Sequence, residues 1–253
     1  MTTTTSTRAD IRRARQRFHT DIGWLDSWHS FSFGHHFNPN ELGHGLLIVS
    51  NDDVVAPGGG FGSHPHADME IVTWVLDGEL EHRDSEGNHG VIGPGLAQRM
   101  SAGTGIVHSE FNASSTAPAR LVQMWVVPSQ TGITPGYEQV DVTDRLDAGG
   151  WVAIASGQGH EGAVTIHQPG AVMWVARMGE RERLDVPRAP YVHVFVATGT
   201  VAVDLEDLAG DQWNGTTLNQ GDALRLTGEQ AAALTALERA EVIVWESDRQ
   251  ARR

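Results

Sequence analysis

From residue 70 onward the chain is cut into short apolar, β-branched runs, each stopped by a turn signal. EIVTWVLD (70–77) ends at Asp77-Gly78, residues 79–84 alternate, residues 85–88 turn, and Gly93-Pro94-Gly95 turns again. LVQMWVV (121–127) stops at Pro128. Short strands at this spacing, with no long helical period, predict an all-β chain built as sandwiches or barrels. Upstream, residues 23–37 are aromatic-rich and alternating, 45–50 reads as a buried strand, and 51–62 reads as a loop closed by Pro57 and three glycines. Residues 8–18 suit a short helix with Asp10 as N-cap or a first edge strand, while threonine-rich 1–7 is expected to be disordered. Residues 228–237 (GEQAAALTAL) are the one stretch that reads as helical.

The second half echoes the first. Residues 191–197 followed by 199–204 match 71–77 followed by 78–84, 219–223 match the turn at 93–97, and 241–247 match 121–128. Two related β domains follow, with a boundary near 128–135. We divide the chain into an arm (1–22), a first domain (23–135), a second domain (136–247) and a tail (248–253).

Composition excludes several chemistries. The 253 residues contain no cysteine, which removes disulfides, thiolate metal sites and cysteine nucleophiles. All basic residues are arginine, so no lysine Schiff base or P-loop lysine exists. A formal charge of -14 argues against a nucleic-acid surface. Arg8, Arg12, Arg13, Arg15 and Arg17 cluster at the start and read as a solvated terminal segment. No apolar run is long enough for a membrane span and residues 1–10 have no signal-peptide core, so a cytoplasmic protein is expected.

Within 58–112 lie two pairs of metal-capable side chains, His64/His66 and His108/Glu110. On a strand, residues i and i+2 point to one face. If the two strands face each other, three imidazoles and a carboxylate converge, a donor set suited to a divalent transition metal with positions left open. Without sulfur it does not resemble a closed structural zinc site. His35, His36 and His44 read as exposed loop residues, and His82 with Asp84 as a cross-strand hydrogen-bonding pair. Met124 and Trp125 read as core, and Gln123 as facing a cavity. His160, His167 and His193 carry no motif.

The segments FGSHPHADMEIVTWVLDGELEHRDSEGN (61–88) and GPGLAQRMSAGTGIVHSEFN (93–112) resemble the signature of the pirins, bicupin proteins of the cupin superfamily. GWLDSWHSFSFG (23–34) and LVQMWVVPSQTGITPGYEQ (121–139) extend the match. The resemblance implies two packed jelly-roll cupin barrels with one mononuclear metal in the first. Its ligands would be His64, His66, His108 and Glu110. General cupins take their glutamate from the first motif, here Glu70, whereas pirin-like proteins use the one two residues after the last histidine, here Glu110. Glu70 is then left as a supporting or pocket acid. Setting Gly199 against Gly78 places Asp185 and Pro187 opposite His64 and His66. Setting Gly221 against Gly95 places Leu234 and Ala236 opposite His108 and Glu110, so the second domain is expected to bind no metal.

The family resemblance further implies a metal-dependent dioxygenase that opens the central ring of a flavonol such as quercetin, using dioxygen and releasing carbon monoxide. Glu110, or alternatively Glu70, would be the general base. Iron(II) is the first expectation for the metal, with nickel, copper, cobalt, manganese or zinc able to occupy the same ligands. The alternative implied by the same resemblance is a metal- or redox-sensing regulator that binds a protein partner.

Overall fold

The computed structural model describes residues 7–205 and 215–251. The expectation of disorder at the extreme N-terminus falls on residues 1–6, outside that range. The first half contains β1 (Arg8–Arg12), β2 (Phe18–Asp21), β3 (Leu25–His29), β4 (Leu47–Val55), β5 (Gly60–His66), β6 (Glu70–Asp77), β7 (Leu80–Asp84), β8 (His89–Ile92), β9 (Leu96–Ser101), β10 (Ile106–Asn112), β11 (Ala119–Val126) and β12 (Gly136–Asp141). After the single α-turn α1 (Thr143–Asp147) come β13 (Val152–Ser156), β14 (Val164–Thr165), β15 (Ala171–Met178), β16 (Arg183–Asp185), β17 (Tyr191–Thr198), β18 (Thr200–Leu205), β19 (Thr216–Asn219), β20 (Ala223–Thr227), β21 (Ala232–Ala236) and β22 (Ala240–Ser247).

Each half is a large sheet covered by a small one, the layering of a jelly roll. In the first half the order β12-β9-β6-β11-β4-β3-β2 faces β5-β10-β7-β8. In the second, β1-β20-β17-β22-β15-β13-β14 faces β16-β21-β18-β19. The two large sheets pack back to back through a shared core that includes Phe31, Trp74, Met124, Phe195 and Trp245. Strands of the large sheets are therefore covered on both sides. That is why EIVTWVLD is buried from Glu70 through Val75 instead of alternating inside and out.

The arm ties the halves together. β1 is an edge strand on β20 of the second half, so the strand alternative for 8–18 is the one adopted. Conversely β12 is the outer strand of the first half's large sheet, paired with β9. The arginines of the arm are solvated only in part: Arg8 and Arg15 are exposed, but others are engaged. Arg17 has a side chain 7% exposed, ion-paired to Asp52 at 3.3 Å, and Arg13 pairs with Asp222 at 2.7 Å.

Two other expectations are corrected. Residues 51–62 are not a loop: β4 continues to Val55 and β5 starts at Gly60. Polar Asp52 and Asp53 stay in strand because each side chain is paired, Asp52 with Arg17 and Arg120 and Asp53 with Ser27. Nor is 228–237 helical. Residues 232–236 form β21, which pairs with β16 and β18. Inter-strand hydrogen bonds and burial of Leu234 override the alanine-rich helical propensity. Among the described residues no helix is long and apolar enough to cross a membrane.

Candidate metal centre

β5 and β10 lie antiparallel, with His64 opposite His108 and His66 opposite Ile106. A register shift follows, so that Glu110 lies opposite Phe61. The extra residue sits on the β5 side, a bulge that re-aims the strand beside the site. Close approach at its far end requires Gly60, where any Cβ would collide with the Glu110 carbonyl. Along β10 the side chains of Ile106, His108, Glu110 and Asn112 point inward, and Val107 and Phe111 outward.

The rings of His64, His66 and His108 gather with centroids 4.4–4.9 Å apart. Their ligating atoms lie within 4.8 Å of one another, and a second such group joins His108 with His82 and Glu110. The structure thus brings the three sequence-derived histidines together directly, and reaches Glu110 through His108.

Hydrogen-bond chemistry fixes which nitrogens face inward. The Gly62 carbonyl can only accept, so His64 donates to it from Nδ1 at 2.7 Å, and a neutral His64 then presents a lone pair on Nε2. On the other side, the Asp84 carboxylate accepts from His82 Nε2 at 3.2 Å. Neutral His82 therefore offers a lone pair on Nδ1, to which His108 Nδ1, 3.4 Å away, can donate. In that tautomer the remaining nitrogen of His108, Nε2, is a lone pair. It faces His64 Nε2 at 3.0 Å. Two lone pairs at that distance repel unless a cation lies between them. Two further buried atoms at the site, His66 Nε2 and Glu110 Oε1, find no hydrogen-bond partner among the described residues. Three imidazole nitrogens, with one carboxylate oxygen joined to them through His108, make a donor set suited to a transition-metal ion.

Electrostatics agree with that fit. Burial, with the neighbouring His64 adding to it, lowers His66 to about 4. Burial followed by His64 and His66 lowers His108 to about 3. Both rings are neutral at pH 7, the form that ligates. Burial raises the Glu110 carboxyl to about 7, against a hydrogen bond from Gln123. Burial would also raise Asp84, yet bonds from Asn88 and His82 outweigh it and hold that carboxylate below its ordinary value.

The other sequence candidates sort clearly. Gln123 faces inward as expected, donating to Glu110 Oε2 at 2.7 Å. Trp125 is more than core: it meets His66 edge-on at 4.9 Å, bonds to Gln123, and is met by Phe33. Met124 points the other way, accepting from Trp245 Nε1 in the shared core. Glu70 is turned away from the cluster, bound to Ser101 at 2.8 Å and to the His167 backbone at 3.1 Å. His35 is exposed, but His36 is half-buried on Thr20, and half-buried His44 docks against the Leu226 carbonyl of the second half. The Asp84–His82–His108 chain, read from sequence only as cross-strand bonding, is what sets the His108 tautomer. Tyr137, which stacks on His82 at 4.6 Å, had no sequence signal.

Comparison with known proteins completes the picture. The sequence profile described as Pirin matches residues 10–126, and the one described as Quercetinase C-terminal cupin domain matches 153–246. A Mycobacterium tuberculosis protein provisionally named quercetin 2,3-dioxygenase is 51% identical over 94% of this chain and 94% of its own. The quercetin 2,3-dioxygenase of Escherichia coli is 40% identical over 93% of this chain and 97% of that one. Among solved structures, the bacterial pirin YhhW of Escherichia coli in complex with nickel(II) superposes with a TM-score of 0.84 at 37% identity, covering 96% of this chain and 100% of that one.

Proposed function

The chain belongs to the pirin family, and on that footing we propose that it is a metal-dependent dioxygenase that opens the central ring of a flavonol such as quercetin. The observation that carries the metal half of this reading is the convergence of His64, His66 and His108, with the Nε2 atoms of His64 and His108 3.0 Å apart. We assign the ligands as His64, His66, His108 and Glu110, all within 23–135, with the second half serving as a packing partner. Iron(II) is the expectation from the donor set, and nickel(II), held by the Escherichia coli pirin, suits the same four atoms. The substrate class follows from the names of the relatives, one quercetin 2,3-dioxygenase and the other provisionally so named.

Bound there, a divalent cation supplies Lewis acidity, which lowers the pKa of a coordinated hydroxyl. The chain's residues do the rest. Gln123 holds Glu110 Oε2 and leaves Oε1 free to ligate or to take the proton of the flavonol 3-hydroxyl. An aromatic substrate has a matching surface beside the histidines. A recess of about 430 Å³ is lined in part by Phe33, Leu42, Val49, Met69 and Trp125, and Trp125 also meets His66 edge-on.

The test is to load the protein anaerobically with iron(II) or nickel(II), then admit oxygen and follow quercetin absorbance. The flavonol band should bleach, and His66→Ala should remove both bound metal and bleaching. Stoichiometric metal with no flavonol consumed would end the dioxygenase reading and leave the metal-sensing alternative.

A further inference from the structure

Away from the histidines, a small, partly open cavity of about 120 Å³ lies where the arm meets both halves. Arg12 and Arg17 line it from the arm, Ser30 and Glu41 from the first half, and Arg225 from β20 of the second. It is well below the several hundred cubic ångströms that a nucleotide or a flavonol needs.

Cations outnumber anions around it. Glu41 is shared between Arg12 at 2.9 Å and Arg225 at 2.6 Å. Asp52 is shared between Arg17 at 3.3 Å and Arg120 at 3.0 Å. Counting Asp10, which also pairs with Arg12, four guanidiniums divide three carboxylates. This surplus stands in a chain whose formal charge is -14. Burial lowers both Arg17 and Arg225 below the ordinary guanidinium value, and the paired carboxylates only partly offset it.

A second, independent observation points to a ligand. Arg225 Nε and Ser30 Oγ are buried and find no hydrogen-bond partner among the described residues. Both residues are 7% exposed. Each atom carries a hydrogen to give, and unpaired buried donors cost about 1–3 kcal/mol apiece. One small oxyanion, rich in acceptor oxygens, would satisfy both donors and offset the surplus cation.

We propose that this cavity binds one small oxyanion, inorganic phosphate or a short carboxylate, held by Arg225 Nε, Ser30 Oγ and the guanidiniums of Arg12 and Arg17. Such an ion would pin the arm to both halves at once. The site is separate from the metal centre and does not rest on the dioxygenase reading.

Full-length protein should be titrated calorimetrically with phosphate and, separately, acetate, against sodium chloride at matched ionic strength, with melting curves alongside. One saturable site is expected for phosphate, acetate or both, and the melting temperature should climb with ligand concentration beyond the chloride control. The stronger of the two identifies a tetrahedral or a planar ion as the fit. Ser30→Ala should weaken binding about tenfold while leaving the ligand-free melting temperature unchanged or slightly raised, because its hydroxyl is unpartnered. Arg225→Lys, which lacks Nε, should weaken binding further. If that variant does not fold, Ser30→Ala alone decides. No saturable heat beyond chloride would mean a water-filled cavity, and wild-type affinity in Ser30→Ala would place the ion elsewhere. Either result overturns the proposal.

Discussion

The two halves run nearly the same strand ladder, and one row of side chains across each large sheet separates their roles. In the first half, the pairing register aligns His29, Asn51, Gln123, Thr73 and Gln98 across β3, β4, β11, β6 and β9. In the second, the equivalent row across β13, β15, β22, β17 and β20 is Ala153, Trp174, Val244, Val194 and Leu224. The row of the first half faces the metal-capable cluster, where Gln123 donates to Glu110. That of the second is packed by Val203, Leu234 and their neighbours. A jelly roll can thus be closed either by a polar lattice that converges on a site or by aliphatic packing. Fold and site are separable, and within one chain each half is a control for the other.

Exchanging roles at one equivalent position should give the largest effect. Leu234, fully buried in the second half, stands opposite His108 in the repeat. Leu234→Ala should cost about 2–5 kcal/mol of stability and leave metal stoichiometry untouched. His108→Ala should do the reverse, losing metal while the metal-free melting temperature hardly moves. Chemical denaturation paired with metal analysis checks both, and a Leu234→Ala protein that lost metal would break the division of roles.

Next in size is the buried Asp53, whose counterpart in the second half is the fully buried Ala176. Burial, against a bond from Ser27, raises Asp53 from 3.8 to about 7. Between those values the folded state holds a proton that the unfolded state has released. Stability therefore falls as pH rises from about 4 to about 7 and stays lower above that. Metal-free Asp53→Asn should gain roughly 2–4 kcal/mol at pH 8 and nothing at pH 4. Denaturation of the variant and the wild type at the two pH values measures it; equal gains at both would show that the carboxylate is not the cause.

How much of this the sequence carries depends on whether a feature is local. The strand EIVTWVLD and the His64/His66 and His108/Glu110 pairs are legible because turn residues and i, i+2 spacing act over a few residues. β21 is not, because GEQAAALTAL is a good helix former until β16 and β18 offer it hydrogen bonds from far along the chain. The continuation of β4 through Asp52 and Asp53 depends on partners as distant as Arg120 and Ser27. Arg17 looks like part of a solvated run, yet its guanidinium lies over both Trp28 and Phe195, from opposite halves. The role of His82 likewise needs the register of β7 on β10, which sets Asp84 opposite His108 and His82 opposite Glu110.

The smallest effect expected concerns that last chain. Asp84→Asn changes none of the proposed ligands but weakens the group that fixes the His82 and hence the His108 tautomer. Metal affinity, measured by competition with a chromophoric chelator, should fall about tenfold. Unchanged affinity would mean that the tautomer of His108 is set by the ion alone.

The central claim is a single metal held by two strands of the first half. Anomalous diffraction at the metal's absorption edge, from crystals of the loaded protein, tests it most directly. One peak should appear per chain, bonded to His64, His66, His108 and Glu110. A peak among His82, His108 and Glu110 that leaves His64 and His66 free, or one within the second half, would contradict it.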